Sequence, residues 1–221
     1  MFQFILDWSE VWALLIPLTI ILFLKSPDRV LDPIVIYVFV AFLLNTLATI
    51  MQQFYGQMPA GLKNNNILYN LHSLARVFFF GWYFGRITTQ RLALVNKGIL
   101  MIYSVLVILN FIFFESPFFL SPRLFAAESI VLLFLCISFF LRSIQDESHT
   151  NWTSQPPFLI FTGVALYEAI TFFIFLFIYP IFNKSPEFAQ LCMQIYQVIF
   201  VVYCIFLALA LRRKRKKTVA A

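Results

Sequence analysis

Long apolar runs separated by short polar segments dominate the pattern along the 221 residues. Each run can cross a hydrocarbon core of about 30 Å as a helix of roughly 20 residues, and none alternates as a membrane β-barrel strand does. The sequence therefore predicts an all-α integral membrane protein with seven transmembrane helices. We place these helices at residues 8–24, 33–53, 67–86, 92–114, 124–141, 157–181 and 188–211.

Composition supports this class of protein, because 62% of the residues are hydrophobic and only 12% are charged. A soluble domain has about a quarter of its residues charged. We do not expect the first run to be a cleaved signal peptide, since its leading segment carries Asp7 and Glu10 and no basic residue. We therefore expect one transmembrane domain over residues 1–221, in the cytoplasmic (inner or plasma) membrane.

Basic residues predict the orientation, because Lys and Arg near span ends are retained on the cytoplasmic side. If the N-terminus lies outside, most of the 16 Lys and Arg residues fall in segments on the cytoplasmic side. We therefore predict that the N-terminus is outside and the C-terminus inside. The sequence "RRKRKK" at 212–217 opens a basic tail over 212–221, which we expect to lie against anionic lipid on the cytoplasmic face. The tail is short and next to the bilayer, so we expect no nucleic-acid partner.

An internal repeat is indicated by residues 9–26 and 127–143, which align with Glu10 opposite Glu128. The helices that follow both open on proline and carry Asn45 and Glu168 at comparable depth. We therefore expect a first triple-helix half at about 8–86, a linker helix at about 92–114 and a second half at about 124–211. Both halves begin outside, so the repeat would be parallel, about an axis along the membrane normal.

This layout resembles that of the SWEET sugar transporters and, more loosely, that of the microbial rhodopsins. The proline-glutamine signature of SWEET helices is absent, because Pro17 is followed by Leu18. The seventh span has no Lys over residues 188–211, so a retinal Schiff base cannot form there. The resemblance is one of layout, and it implies at most a facilitative transporter fold.

Polar residues gather in the halves of the helices that we place toward the outside. Tyr69, His72 and Arg76 lie on one face of the third helix, since residues three, four and seven apart align on a helix. Similar spacing aligns Asn45, Thr49 and Gln52 of the second helix and three glutamines of the seventh. The candidate ligand-binding residues are Asn45, Thr49, Tyr69, His72, Arg76, Glu128, Glu168, Gln190, Gln194 and Gln197.

Charged side chains at this depth require partners, because a bare charge at the bilayer centre costs at least ~2.5–3.5 kcal/mol on insertion scales. We expect Arg76 to pair with one of Glu128 and Glu168, and His72 to pair with the other. One interpretation is that this network is purely structural and fixes how the helices pack. We favour the alternative that it forms the floor of a pocket open to the outside and sealed beneath by Phe, Ile, Leu and Val, because amides and tyrosines from four helices surround the charges.

Metal-dependent hydrolysis is disfavoured, because a catalytic zinc site needs about three protein ligands and the two histidines, His72 and His149, lie on opposite predicted sides. The three cysteines show no CxxC spacing. The "NWT" sequence at 151–153 matches a glycosylation acceptor but lies on the predicted cytoplasmic side. We therefore predict no cofactor and no metal site, and a function that is not enzymatic.

Function is predicted as receptor-like: a small ligand binds from the extracellular side, and a cytoplasmic or membrane partner reads the change. The main alternative is a SWEET-like facilitative transporter of a small solute, and a third is an intramembrane lipid-modifying enzyme that uses His72. A transporter needs a wetted path inward, and the Phe-rich inner segments offer few polar groups to line one.

Overall fold

The computed structural model describes residues 6, 8–23, 29–54, 64–145 and 155–213, and this part of the chain is all-helical. Lys25, Lys63, His149, the "NWT" sequence at 151–153 and the tail from residue 214 lie outside it. Its seven helices are α1 (Ser9–Phe23), α2 (Asp32–Gln53), α3 (Asn66–Ile87), α4 (Gln90–Phe113), α5 (Pro122–Gln145), α6 (Pro156–Lys184) and α7 (Pro186–Arg212). A 3₁₀ turn at Arg29–Leu31 leads into α2.

Five of these helices, α2, α4, α5, α6 and α7, contain stretches long and apolar enough to cross a bilayer. The helix α1 is apolar but has 15 residues. The helix α3 has 22 residues, and its first half contains Asn70, His72 and Arg76, which lower its hydropathy. Five long apolar helices indicate an integral membrane protein, the class that the sequence predicts.

Proline and serine explain where several helices begin. Pro lacks a backbone N–H, which costs nothing in the first helical turn, and it occupies that turn in α2, α6 and α7. Ser185 also caps α7, because its Oγ accepts a hydrogen bond from the backbone N–H of Phe188 at 3.4 Å. These residues separate α6 from α7 at a single non-helical position.

Six helices form a closed ring in which chain neighbours are also neighbours in space. The helix α2 packs between α1 and α3, α6 packs between α5 and α7, and contacts of α3 with α5 and of α7 with α1 close the ring. The remaining helix, α4, packs on the outside against α3 and α5. Most of its apolar side chains, such as Met101 and Ile112, are exposed and available to lipid.

Aromatic packing fills the half of the ring that contains the end of α3. The Tyr83 and Phe161 rings stack with centroids 5.9 Å apart, and the Phe161 and Phe139 rings stack at 4.6 Å. Phe200 and Tyr203 of α7 are fully buried in the same core. We name this region the aromatic layer, formed by Phe80, Tyr83, Phe84, Phe139, Phe161, Phe200 and Tyr203.

Close approach of α6 to α7 depends on Gly163. A Cβ atom at this position would lie 2.6 Å from Cβ of Phe206, which cannot move without its backbone. A Cβ atom at Gly98 of α4 would meet nothing within 4 Å. The two glycines therefore differ in function: Gly163 sets a helix–helix distance, whereas Gly98 does not.

We expect Gly163→Ala to destabilise the protein by about 1–3 kcal/mol through overpacking. The control variant Gly98→Ala should be neutral or stabilising by about 0.5–1 kcal/mol, since alanine is the better helix former. Thermal unfolding in detergent, followed by tryptophan fluorescence, measures both changes. Equal melting temperatures for the two variants would show that α6 and α7 are not in close contact.

Candidate functional site

Arg76 of α3 joins three helices through one guanidinium group. It lies ten residues after the start of the helix at Asn66, a rise of about 15 Å. Its Nη1 is 3.2 Å from Oε1 of Glu128 on α5 and 3.1 Å from Oε1 of Glu168 on α6. Arg76 is 3% exposed and the two glutamates 1% each, so this triad is buried.

Neighbouring hydroxyl groups fix Glu168 in place. Its Oε2 accepts hydrogen bonds from Ser129 Oγ at 2.7 Å and from Thr171 Oγ1 at 3.5 Å. The Arg76 guanidinium also lies over the Tyr167 ring, 4.7 Å from its centroid, which adds a cation–π contact. Both oxygens of Glu168 are therefore used within the protein.

His72 pairs with a tyrosine rather than with a carboxylate, so the expected pairing with Glu128 or Glu168 is wrong. Its Nε2 lies 3.1 Å from the hydroxyl oxygen of Tyr37 on α2, and the two rings are nearly parallel with centroids 5.9 Å apart. The physical reason is that a guanidinium has five donors and can hold both carboxylates. His72 is then free to face α2.

A cavity of about 240 Å³ lies directly above the triad. His72 and Arg76 are buried at its floor, whereas Gln52 and Met193 are exposed at its rim, so it opens at the end of the ring where α1 begins. We call it the polar cavity, and its lining residues are Glu10, Gln52, Asn66, Tyr69, His72, Arg76, Leu120, Phe125, Phe175, Met193, Tyr196 and Gln197.

The loop between α4 and α5 is fixed beside the cavity by Asn70. The Nδ2 atom of Asn70 donates hydrogen bonds to the carbonyl oxygens of Pro117 and Phe119, both at 2.9 Å, and Oδ1 accepts one from the backbone N–H of Ser121 at 3.3 Å. Leu120 lies within this loop and lines the cavity. The loop is therefore part of the cavity wall.

The structure brings six of the ten candidate residues to this region. Tyr69, His72, Arg76 and Gln197 line the polar cavity, and Glu128 and Glu168 lie against Arg76 beneath it. The other four lie elsewhere. The Nδ2 atom of Asn45 donates to the backbone oxygen of Glu10 at 3.3 Å, Thr49 is buried outside the lining, Gln190 is exposed, and Gln194 lines a shallow apolar depression with Leu191.

The glutamines of α7 separate because their stripe follows the border between the cavity and the outer surface of the ring. Gln197 is the deepest of the three, and its Oε1 has no hydrogen-bond donor among the described residues. Gln190 lies one turn from the start of α7, where the helix is exposed. The three glutamines therefore have helical spacing but lie in different environments.

Several residues of the site were not among the sequence candidates. They are Glu10, Tyr37, Gln52, Asn66, Asn70, Ser129, Tyr167, Thr171 and Tyr196. Glu10 could have been included, because an acid inside an apolar run needs a polar environment. Tyrosines are common in membrane helices for packing alone, so the sequence does not distinguish Tyr37 or Tyr196 from the others.

Carboxylates outnumber cations around the cavity. Glu10 lines it, Glu128 and Glu168 lie beneath it, and Arg76 is the cation that contacts the last two. None of the ion pairs between described residues includes Glu10. The same part of the chain contains no group of three His, Cys, Asp or Glu placed to hold a metal ion.

No family model, curated protein or solved structure matches this chain. The class that its fold defines is an all-helical integral membrane protein.

We expect Arg76→Leu to reduce the yield of folded protein strongly, because removing one partner of a buried ion pair costs about 3–5 kcal/mol. The triple variant Arg76→Leu with Glu128→Gln and Glu168→Gln should recover much of the loss, since no uncompensated charge remains. Size-exclusion chromatography and thermal unfolding measure both. A single variant as stable as the wild type would show that the triad is not formed.

Proposed function

We propose that this protein is a receptor-like membrane protein that binds a small ligand in the polar cavity and signals through a partner at the opposite face. The observation that carries the proposal is the cavity, which ends on buried polar groups at Arg76 and His72. Ligand sites are concave and largely apolar, with a few polar groups that fix orientation. The polar cavity has this composition, since Phe125, Phe175 and Met193 share its wall with its polar residues.

Unused hydrogen-bonding groups support binding rather than a purely structural network. Arg76 Nε has no acceptor and Gln197 Oε1 has no donor among the described residues. A buried polar group without a partner costs about 1–3 kcal/mol, and a ligand that supplies the partner recovers this energy. Such atoms also occur in packed parts of the described bundle, for example Asn96 Oδ1 and Thr162 Oγ1, so what supports binding is that Arg76 and Gln197 line the cavity.

The aromatic layer favours a receptor over a transporter. Below the triad, Phe80 and Phe200 are fully buried, and the Tyr203 ring stacks on Tyr167 with centroids 5.2 Å apart. A solute passing inward would have to separate these rings. The alternative function is a facilitative transporter. It is favoured by the ring, in which α1–α3 and α5–α7 would be the two halves of a parallel repeat and α4 lies outside.

We further propose that all seven helices span the cytoplasmic membrane with the N-terminus outside, and that two parallel three-helix halves form the ring. Residues from the start of α1, the end of α2 and the start of α3 line one cavity, which supports helices that alternate in direction. The distribution of basic residues supports this orientation. The polar cavity would then open to the extracellular side, and the signalling partner would contact the end of α3.

Cysteine labelling tests the cavity and separates the two functions. Tyr69→Cys should react with a membrane-impermeant thiol reagent added from outside, because Tyr69 lines the cavity. Phe200 belongs to the aromatic layer and is 0% exposed, so Phe200→Cys should stay unreactive from either side. The native cysteines are buried and provide the background. Labelling of Phe200→Cys from inside, together with solute counterflow in proteoliposomes, would favour the transporter instead.

Reporter fusions after Ala221 test the orientation. With the C-terminus inside, a fused green fluorescent protein should fluoresce and a fused alkaline phosphatase should be inactive, since phosphatase folds only after export. Enzyme activity and fluorescence of the two fusions in the same bacterial host give the answer. The reverse pattern would place the polar cavity on the cytoplasmic side.

A further inference from the structure

We infer that the polar cavity binds a small organic ammonium ion with an apolar body, and that Glu10 is the residue that binds its charge. The inference rests on the proposed function, because it names the ligand class of the same cavity. Three observations support it: acidic side chains outnumber cations around the cavity, Glu10 lines the cavity, and aromatic rings form part of its wall.

Among the described residues, no cation forms an ion pair with Glu10. The Arg76 guanidinium is already shared by Glu128 and Glu168, at 3.2 and 3.1 Å. The neutral side chain of Tyr196 lies with Glu10 in the cavity lining. Three acidic side chains and one guanidinium lie in or directly beneath the cavity, and this excess of acidic groups favours a cation over an anion as the ligand.

The position of Glu10 points to a ligand rather than to helix capping. An acid in the first turn of a helix is stabilised by the helix dipole whichever way its side chain faces. Glu187, in the first turn of α7, is such a residue and is exposed. Glu10 instead lines the polar cavity, and its backbone oxygen is held by Asn45 from α2.

An aromatic wall faces the cavity from three helices. The Phe125 and Phe175 rings stack with centroids 4.6 Å apart, and the Phe175 and Tyr196 rings meet edge to face at 5.6 Å. Aromatic faces attract ammonium groups within about 6 Å and also accommodate an apolar body. A carboxylate beside such a wall is the combination that recognises an amine.

The floor and the size of the cavity limit the ligand further. Arg76 is 3% exposed and its Nε has no acceptor within the described part of the chain, so the floor favours a neutral acceptor such as a hydroxyl or the face of a ring. A volume of about 240 Å³ is below the usual range of roughly 300–1,000 Å³ for ligand pockets, which excludes most drug-sized molecules.

Three probes that share one apolar body test the ligand class: phenethylamine, 2-phenylethanol and 3-phenylpropanoate. Binding to the full chain in lipid nanodiscs is measured by calorimetry. We expect phenethylamine to bind about tenfold or more tightly than the alcohol, since an ion pair and a cation–π contact together exceed about 1.4 kcal/mol. The carboxylate probe should bind most weakly.

Substitution of Glu10 assigns the preference to this residue. Glu10→Gln should abolish the difference between amine and alcohol, whereas the matched control Glu187→Gln, also in a first helical turn, should leave it unchanged. Glu10→Asp retains the charge and should retain the preference, which separates loss of charge from loss of fold.

Each other outcome overturns the inference. If amine and alcohol bind equally, or if Glu10→Gln keeps the preference, the ligand class is wrong but a small-molecule cavity remains. If no probe binds while Tyr69→Cys is still labelled from outside, the ammonium class is again wrong and the cavity stands. If no probe binds and Tyr69→Cys is also unreactive, the proposed function fails as well.

Discussion

The buried ion pairs of Arg76 are the interaction on which the rest of the structure depends. A guanidinium taken out of water costs several kcal/mol unless carboxylates and hydrogen bonds compensate it. Glu128 and Glu168 supply the carboxylates at 3.2 and 3.1 Å, and Ser129 orients the second. Because these residues come from α3, α5 and α6, the need to compensate one charge fixes how α3 packs against α5 and α6.

The polar cavity follows from the same constraint. Polar side chains collect above the triad, where the cavity opens, and the aromatic layer packs the space below it. Beside the cavity, Asn70 adds further polar contacts, because it donates hydrogen bonds to the loop between α4 and α5. The ring therefore has one end that opens through a polar cavity and one end packed with aromatic rings, and the proposed receptor function rests on this difference.

Sequence patterns were sufficient for the helices and for part of the site. Apolar runs predicted the all-helical fold and approximate helix bounds, because a run of about 20 apolar residues has few other solutions. The spacing of Tyr69, His72 and Arg76 placed them on one face, where they line one cavity. The partner of His72 could not be predicted, because Tyr37 is 35 residues away and resembles every other tyrosine in the chain. Gln190 and Gln194 show that a polar stripe on a helix does not reveal which neighbour it faces.

A density map of the protein in lipid nanodiscs, obtained by electron cryomicroscopy at side-chain resolution, tests the central claim most directly. We predict continuous density from Arg76 to both Glu128 and Glu168, with a solvent-filled space above it bounded by Glu10 and Tyr196. Density that places the Arg76 guanidinium away from both carboxylates, with aromatic side chains filling that space, would contradict it.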